Sequence, residues 1–412
     1  MPKLLTVHNY HYRRGGAETV CLDQIGLFTE HGWDVASFAM HHPSNDPSAW
    51  SRYFADEIEF GRQPSLGAKL RDAAKIIYSH EAKAKIQTMI RDIRPDVVHA
   101  HSIYHHLSPS VLVGAKREGV PVVLTLHDLK LLCPAYAMYS RNEICERCKP
   151  NALHHVVMRK CLKNSLALSG LVFVESALHR ALSIYKKHVD CFIAPSRFLM
   201  NRFIDWGWDP RVFSYVPNAV PAASIKPEMA VGQAFVYLGR LADGKGIKTL
   251  VLAAAQAQAP LKVVGTGPQE AELKALAASS NAQIEFLGYR KGEPLWDVVR
   301  SARAVVMPAE AYENAPVSIL EAYAFGKPVI GSNLGGIPEL IREGQTGSIF
   351  TPARVDELAQ RLIEYQDLPN SRIQEMGQAG RAWVLEDFSP QIQYERICQV
   401  YRDIGVAIST GL

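Results

Sequence analysis

Short runs of β-branched and aromatic residues alternate along the chain with longer stretches whose apolar positions recur every three to four residues. This is the pattern of parallel sheets wrapped by helices on both faces. A first series predicts strands at Lys3 to Val7, Asp34 to Phe38, Asp96 to His99, Pro121 to Leu126 and Asp190 to Ala194, with helices between them such as Ala17 to His31. A second series restarts at Ala234 to Leu238 and continues with Leu261 to Gly265, Gln283 to Leu287, Ala304 to Met307 and Pro328 to Gly331. Between the two lies VFSYVPNAVPAASIKPEM, rich in proline and weak in periodicity, which reads as a linker near Pro217 to Pro227. The fold class is therefore α/β, two doubly wound parallel-sheet domains. The expected boundaries are 1–215, with a cysteine-containing insert at about 130–165, then 216–388, and a long amphipathic helix in 389–412. In open sheets of this kind ligands bind beyond the carboxyl ends of the strands, so chemistry is expected just after strands, in the cleft between the domains.

Length and composition agree with this reading. The 412 residues suffice for two or three domains, and 48% hydrophobic with 21% charged residues is ordinary globular usage. No apolar run approaches the ~20 residues of a membrane-spanning helix. The apolar core of the N-terminal stretch, Leu4 to Val7, is short for an export signal, so the expected compartment is the cytoplasm or the inner face of its membrane. Net charge is +4, and the excess is uneven. Arg62, Lys69, Arg71, Lys75, Lys83, Lys85, Arg91 and Arg94 form one basic group, and Arg159, Lys160, Lys163, Arg180, Lys186 and Lys187 another. These read either as solvated helix faces or as a basic face meeting anionic lipid or a phosphorylated acceptor. No aromatic-rich motif accompanies the charge, so no nucleic-acid partner is expected.

The segment VYLGRLADGKGIKTL begins like a triphosphate-binding loop, with Gly239, Gly244 and Lys245 at its spacing. Gly246 follows the lysine where a magnesium-holding Ser or Thr belongs. What remains is a strand-end turn projecting Arg240 and Lys245, two cations able to face one diphosphate, or else a solvated surface turn. In AEAYENAPVSILEAYAFGKPVIGSNLGGIPELI, a loop leads into a helix opening near Pro316, whose free amides form an anion site. Glu313 and Glu321 stand in E-x7-E spacing, up to about 12 Å apart along a helix axis, a span that suits a nucleotide sugar. Glu321 sits among apolar neighbours, where a carboxylate wants hydroxyl partners.

In the first domain the opening strand runs into Gly15 and Gly16 and then a helix, which is either a close backbone approach to a ligand or a plain tight turn. No G-x-G-x-x-G is present there or at GTGPQE from Gly265. LTLHDL places His127 and Asp128 at the end of a central strand, and DVVHAHS supplies His99 and His101 from another. His127 is expected to hydrogen-bond substrate, and His99 to pack. Metal chelation by these histidines lacks the close spacing it would need. Seven cysteines in such a compartment are expected reduced. Four of them, Cys133, Cys145, Cys148 and Cys161, have a C-x2-C core that fits a structural zinc, with unpaired thiols or an oxidation artefact as the other readings.

With Arg240, Lys245, Glu313 and Glu321 in this order, the chain resembles a retaining glycosyltransferase of family 4 with the two-domain GT-B fold. The resemblance runs nearly end to end: GGAE, DVVHAH, LTLHD, APS, VPNAV, GRLADGKG, VGTGP, FLGYR, E-x7-E, GKPVIGSNLGGIPE and GQTG. It implies that the final helix crosses back onto the first domain. It further implies that Arg240 and Lys245 bind the donor diphosphate, Glu321 the ribose and Glu313 the sugar, with Asn314, Ala315 and Pro316 at phosphate or sugar. His127 would contact the sugar, Gly16 the phosphate, and Tyr289 and Arg290 the base, with Gly265 also on the donor side. Arg13, Arg14, Gly15, His101 and Asp128 are the acceptor-side candidates. The donor would be a UDP-, GDP- or ADP-sugar and the acceptor a glycan or lipid-linked molecule, as in surface polysaccharide or glycoconjugate synthesis. No D-x-D occurs, so catalysis is expected to need no cofactor. Gly244 departs from the acidic residue the family commonly carries there, and Asn314 stands where small residues are frequent. A sugar-nucleotide epimerase or hydrolase would instead turn over donor without acceptor, and a non-catalytic binding module would bind without turnover.

Overall fold

The computed structural model describes residues 1–57, 66–149 and 151–408, with no side-chain description for 66–70. Arg62 lies outside the described residues, as does the side chain of Lys69. The strands in chain order are β1 Lys3–Val7, β2 Asp34–Phe38, β3 Val97–Ala100, β4 Val122–Thr125, β5 Tyr139–Ser140, β6 Glu143–Ile144, β7 Cys191–Ala194, β8 Phe213–Tyr215, β9 Phe235–Leu238, β10 Leu261–Val264, β11 Ile284–Gly288, β12 Val305–Met307, β13 Val329–Ser332 and β14 Gly347–Phe350. They form two six-stranded sheets, ordered β2-β1-β3-β4-β7-β8 and β11-β10-β9-β12-β13-β14. Every pairing within both is parallel, whereas β5 and β6 make a small antiparallel hairpin. Central strands such as β3, β4, β7 and β13 are buried at every position, as strands covered by helices on both faces must be.

Two strands and the hairpin go beyond the sequence reading. β8 lies inside the stretch read as linker, and β14 follows the glycine-flanked Gln345-Thr346. Both are edge strands of four residues or fewer, too short to display a period.

The two halves are tied by adjacent crossings of the chain, where Val220 N–H donates to the Phe388 carbonyl at 3.0 Å. Ser389 then caps the helix Pro390–Asp403 by accepting from the Ile392 amide, with Pro390 in its first turn. That helix seats Ile397, Val400 and Tyr401 among Leu4, Phe28, Trp33 and Val97 of the first domain. Tyr401 is fully buried, and its hydroxyl lies 2.7 Å from Nδ1 of His99. Gln24 also reaches that nitrogen, and Thr125 the other, so His99 is a packing residue.

Candidate active site

Both sheets point the carboxyl ends of their central strands into one cavity of about 780 Å³, within the range of small-molecule sites. Its C-terminal wall starts where β9 ends. The Tyr237 hydroxyl donates to the Arg240 carbonyl at 3.0 Å and shapes the turn from which Arg240 and Lys245 project. Gly246 adopts φ +69°, and a Cβ there would lie 1.7 Å from the Pro308 carbonyl oxygen, so only glycine lets this turn meet the loop after β12. The amides of Glu310 and Ala311 both donate to the Gly244 carbonyl at 2.8 Å. A Cβ on Gly244 would sit 2.7 Å from that of Ala311 and 3.3 Å from the Tyr139 ring of the β5–β6 hairpin. With φ at +77°, this crowding leaves no room for a side chain at Gly244.

Lys245 Nζ lies 2.5 Å from Glu313 Oε1, and Thr249 donates to Glu310 at 2.5 Å. The loop 309–315 is held from behind by the glycine turn of GGIPE, where Gly336 N–H donates to the Glu313 carbonyl at 2.8 Å. It then enters the helix Val317–Ala324, capped by Pro316 in extended conformation. The first amides of that helix face the cavity together with Asn314, Ala315 and Pro316. Glu321, one turn further in, lines the same cavity and has no hydrogen-bond partner among the described residues. Burial and the facing carboxylate of Asp23 push its carboxyl pKa up. A carboxylate so placed is stabilised when ligand hydroxyls donate to it.

The opposite wall carries little charge. Gly16, at the start of the helix Gly16–Glu30, leaves open space where a side chain would stand, and Asp23 on that helix pairs with Arg13 at 2.5 Å. His127, at the end of β4, accepts from or donates to His101 through its Nε2 and His101 Nδ1 at 2.9 Å, with the rings stacked at 5.2 Å. Desolvation lowers His127 to about 4, and burial lowers His8 and His99 to about 3 and His101 well below the usual imidazole range. All four are neutral near pH 7. Asp128 accepts from the Lys130 amide at 2.8 Å, while burial pushes its carboxyl pKa up.

Gly16, Arg240, Lys245, Glu313, Asn314, Ala315, Pro316, Glu321, His127 and Asp128 thus share one cavity. Arg13, Arg14, Gly15 and His101 stand outside its lining, with Arg14 stacked over Tyr10 and His101 behind His127. Gly265, Tyr289 and Arg290 also lie outside it. Gly265 is a packing glycine, since a Cβ there would lie 1.8 Å from the Gly239 carbonyl oxygen. Tyr289 is 72% exposed after the edge strand β11, and Arg290 leans on the Leu287 carbonyl.

Sequence reasoning passed over Asn218 and Asp23 in the lining and Glu339 outside it. Asn218 donates to the Ala315 carbonyl at 3.0 Å, and Asn314 bridges the domains, accepting from Ser196 at 2.7 Å and donating to the Leu126 carbonyl at 3.2 Å. Glu339 accepts from the Arg197 and Phe198 amides at the start of the helix Arg197–Asp205. The polar Asn218 within the apolar run VPNAV was the available signal; Asp23 had none.

The cysteines Cys133, Cys145 and Cys161 interact electrostatically with Cys148, and burial pushes Cys148 up to about 12. Among the described residues no three His, Cys, Asp or Glu side chains are arranged to hold a metal ion. Of the first basic group, Lys75 pairs with Glu81 and Arg91 with Glu118, and Lys85 pairs with both Glu81 and Asp56. These cations are locally neutralised. No helix among the described residues is long and apolar enough to cross a membrane.

Residues 14–224 match the family model described as Glycosyltransferase Family 4, and residues 231–383 the one described as Glycosyl transferases group 1. One relative is the GDP-mannose-dependent monoacylated alpha-(1-6)-phosphatidylinositol monomannoside mannosyltransferase of Corynebacterium glutamicum, 34% identical over 39% of this chain and 45% of that protein. Another is the alpha-maltose-1-phosphate synthase of Mycolicibacterium smegmatis, 27% identical over 75% of this chain and 79% of the relative. With the first of these relatives, then, the chain matches somewhat less than half the relative's length. Among solved structures, sucrose-phosphate synthase from Thermosynechococcus elongatus superposes with TM-score 0.69 at 20% identity, covering 98% of this chain and 99% of that one. HepE from Anabaena in complex with UDP and glucose superposes with TM-score 0.68 at 18% identity, covering 98% and 100%. Both likenesses concern the fold.

Proposed function

The chain belongs to glycosyltransferase family 4, and from that premise we propose that it moves a sugar, with retention at the anomeric carbon, from a nucleoside diphosphate donor to a glycan or lipid-linked acceptor. One observation carries the reading: a single interdomain cavity of about 780 Å³ collects Arg240, Lys245, Glu313 and Glu321 from one domain and Gly16 and His127 from the other.

In this reading the donor pyrophosphate lies over the start of the helix Val317–Ala324, between Arg240 and Lys245. Charge building on the departing phosphate meets a guanidinium, an ammonium and free amides in a partly dehydrated site. Glu321 accepts from the ribose hydroxyls. Glu313 shares Lys245 with the phosphate and accepts from the sugar. His127, neutral and oriented by His101, hydrogen-bonds the sugar near the anomeric centre. The acceptor hydroxyl attacks from the face the phosphate leaves, and a phosphate oxygen takes its proton. These two cations and the helix start supply the positive charge that a metal supplies elsewhere, so transfer is metal-independent in this reading. The nucleobase is open among UDP, GDP and ADP. HepE was crystallised with UDP, and the corynebacterial relative is GDP-mannose-dependent.

Thermal shift with UDP-, GDP- and ADP-sugars tests donor binding. A saturating ligand at 100 times its dissociation constant stabilises by ~2.7 kcal/mol. A positive shift for at least one donor, followed by acceptor-dependent release of nucleoside diphosphate, is the expected result. Release without acceptor would favour an epimerase or hydrolase, and no shift with any donor would sink the proposal. Glu313→Ala should fold normally and transfer at least tenfold more slowly.

A further inference from the structure

The helix Leu166–Ala181 is amphipathic the wrong way round for a surface helix in water. Its buried side carries Ser169, Glu175, Ser176 and His179 beside the apolar Val172. Its outward side carries Leu166, Val174 and Leu178, exposed by 59%, 48% and 41%, and the stripe continues into Leu182 at 50%. At 100° per residue these positions, with Ala167, Gly170 and Ala181 between them, fall on one face without a charge. Met158, 69% exposed on the preceding helical turn, extends the patch. Contiguous exposed apolar surface of this kind marks an interaction site.

The rim identifies the partner. From His154 to Val189 the cations are Arg159, Lys160, Lys163, Arg180, Lys186 and Lys187, and the one acid is Glu175. Glu175 faces inward, paired with Lys130 at 2.8 Å and lying 3.4 Å from His105. Lys160 and Lys163 stand exposed before the start of the stripe, Lys186 and Lys187 exposed beyond its end. On the buried side of the helix, behind the stripe, a separate cavity of about 200 Å³ is lined by Ser176, His179, Arg180, Lys186, Trp206 and Trp208. Lys186 lies over the Trp208 ring at 4.7 Å, and Trp206 Nε1 is buried without a partner among the described residues. An uncharged apolar face with exposed lysines before its start and beyond its end fits an acyl–headgroup boundary with anionic phosphate groups.

We propose that this face seats the protein on an anionic phospholipid bilayer, with the flanking Lys160, Lys163, Lys186 and Lys187 against the lipid headgroup phosphates. The buried Lys130–Glu175 pair ties the docking helix to the loop that begins with His127 and Asp128, so seating would bring a lipid-linked acceptor to the mouth of the cleft. This deepens the proposed transferase reading by naming the surface from which the acceptor comes, but the docking itself does not depend on the donor chemistry.

The test is co-sedimentation of the full chain with vesicles of phosphatidylcholine alone and of equal phosphatidylcholine and phosphatidylglycerol. The expected result is at least tenfold tighter binding to the anionic vesicles, lost on raising the salt. Val174→Glu with Leu178→Glu, and separately Lys186→Glu with Lys187→Glu, should each weaken that binding at least tenfold while leaving nucleoside diphosphate thermal shifts unchanged. Equal binding to both vesicle types, or anionic binding that survives both double variants, would overturn the proposal. So would light scattering that shows a dimer dissolved by Val174→Glu with Leu178→Glu and no vesicle binding, which would assign the face to a second copy of the chain. Vesicle binding that follows the pattern above with no response to any nucleoside diphosphate would leave the docking surface standing and remove the transferase reading instead.

Discussion

The two walls of the cleft are built from opposite materials. The C-terminal wall is charged and pinned by its own backbone: the Gly244 carbonyl takes two amides from the loop after β12, Gly336 holds Glu313 from behind, and Lys245 is already ion-paired. The N-terminal wall carries no lysine or arginine in its lining: it presents Gly16, Asp23, Asp128 and the desolvated, neutral His127, with His101 packed behind that imidazole. A fixed array of cations and amides suits a ligand part of constant charge and shape, such as a diphosphate. A wall without cations suits polyols, which need hydrogen-bond partners but no positive counter-charge. The division puts a pinned, cation-bearing surface suited to phosphate on one domain and a cation-free surface on the other.

Four experiments break or sharpen that contrast. Arg240→Ala with Lys245→Ala should lower transfer about 10³-fold, the scale of removing preorganised charge from a transition state. A single-turnover assay reads it, and a loss below tenfold would mean the charged wall does not hold the diphosphate. Gly246→Ala should destabilise the second domain by about 3 kcal/mol, because strain at positive φ adds to the clash with the Pro308 carbonyl. Urea denaturation measures this, and a change under 1 kcal/mol would refute the close approach. His127→Ala should slow transfer roughly 30-fold, a modest share of the rate, as for loss of one neutral hydrogen-bonding group. The nucleoside diphosphate affinity should stay within twofold, and an equal loss in both would erase the distinction between the walls.

The smallest expected effect is in pH. The folded pKa values of His8, His99 and His127 lie near 3, 3 and 4, below the ~6.5 of an unfolded histidine. Below pH ~6.5 the unfolded chain therefore binds protons the folded chain refuses. Stability is fully present above that pH and declines as pH falls towards 4, by on the order of 1 kcal/mol per unit for each histidine. His99→Gln should lessen the slope of melting temperature against pH between 6.5 and 4.5. An unchanged slope would show that this imidazole does not contribute.

Much of this was legible in the chain. Parallel doubly wound sheets announce themselves because strands buried on both faces are predominantly apolar, as β3, β4 and β13 are apart from His99, Thr125 and Ser332. Arg240, Lys245, Glu313 and Glu321 stood out by their order and spacing, and all four line the cavity. Gly265 and Tyr289 were read as donor contacts but lie outside the cavity lining. A glycine admitted by a ligand and one admitted by a neighbouring carbonyl look alike in sequence, and the exposure of an aromatic depends on which edge its strand occupies. β8 and β14 escaped because three or four residues do not display a period.

The order of residue types along the chain was enough to determine two α/β domains, a proline-rich joint and a pair of cations facing a helix start. Tertiary structure alone decided that Asp23 faces Glu321, that Asn314 bridges the domains, and that Tyr139 crowds Gly244. It also decided that the helix Leu166–Ala181 turns its polar side inward. Local periodicity reports which residues share a face of one element, whereas the partner across the gap is set by contacts between residues far apart in sequence. Those exist only once both sheets have packed and the final helix has crossed back to join them.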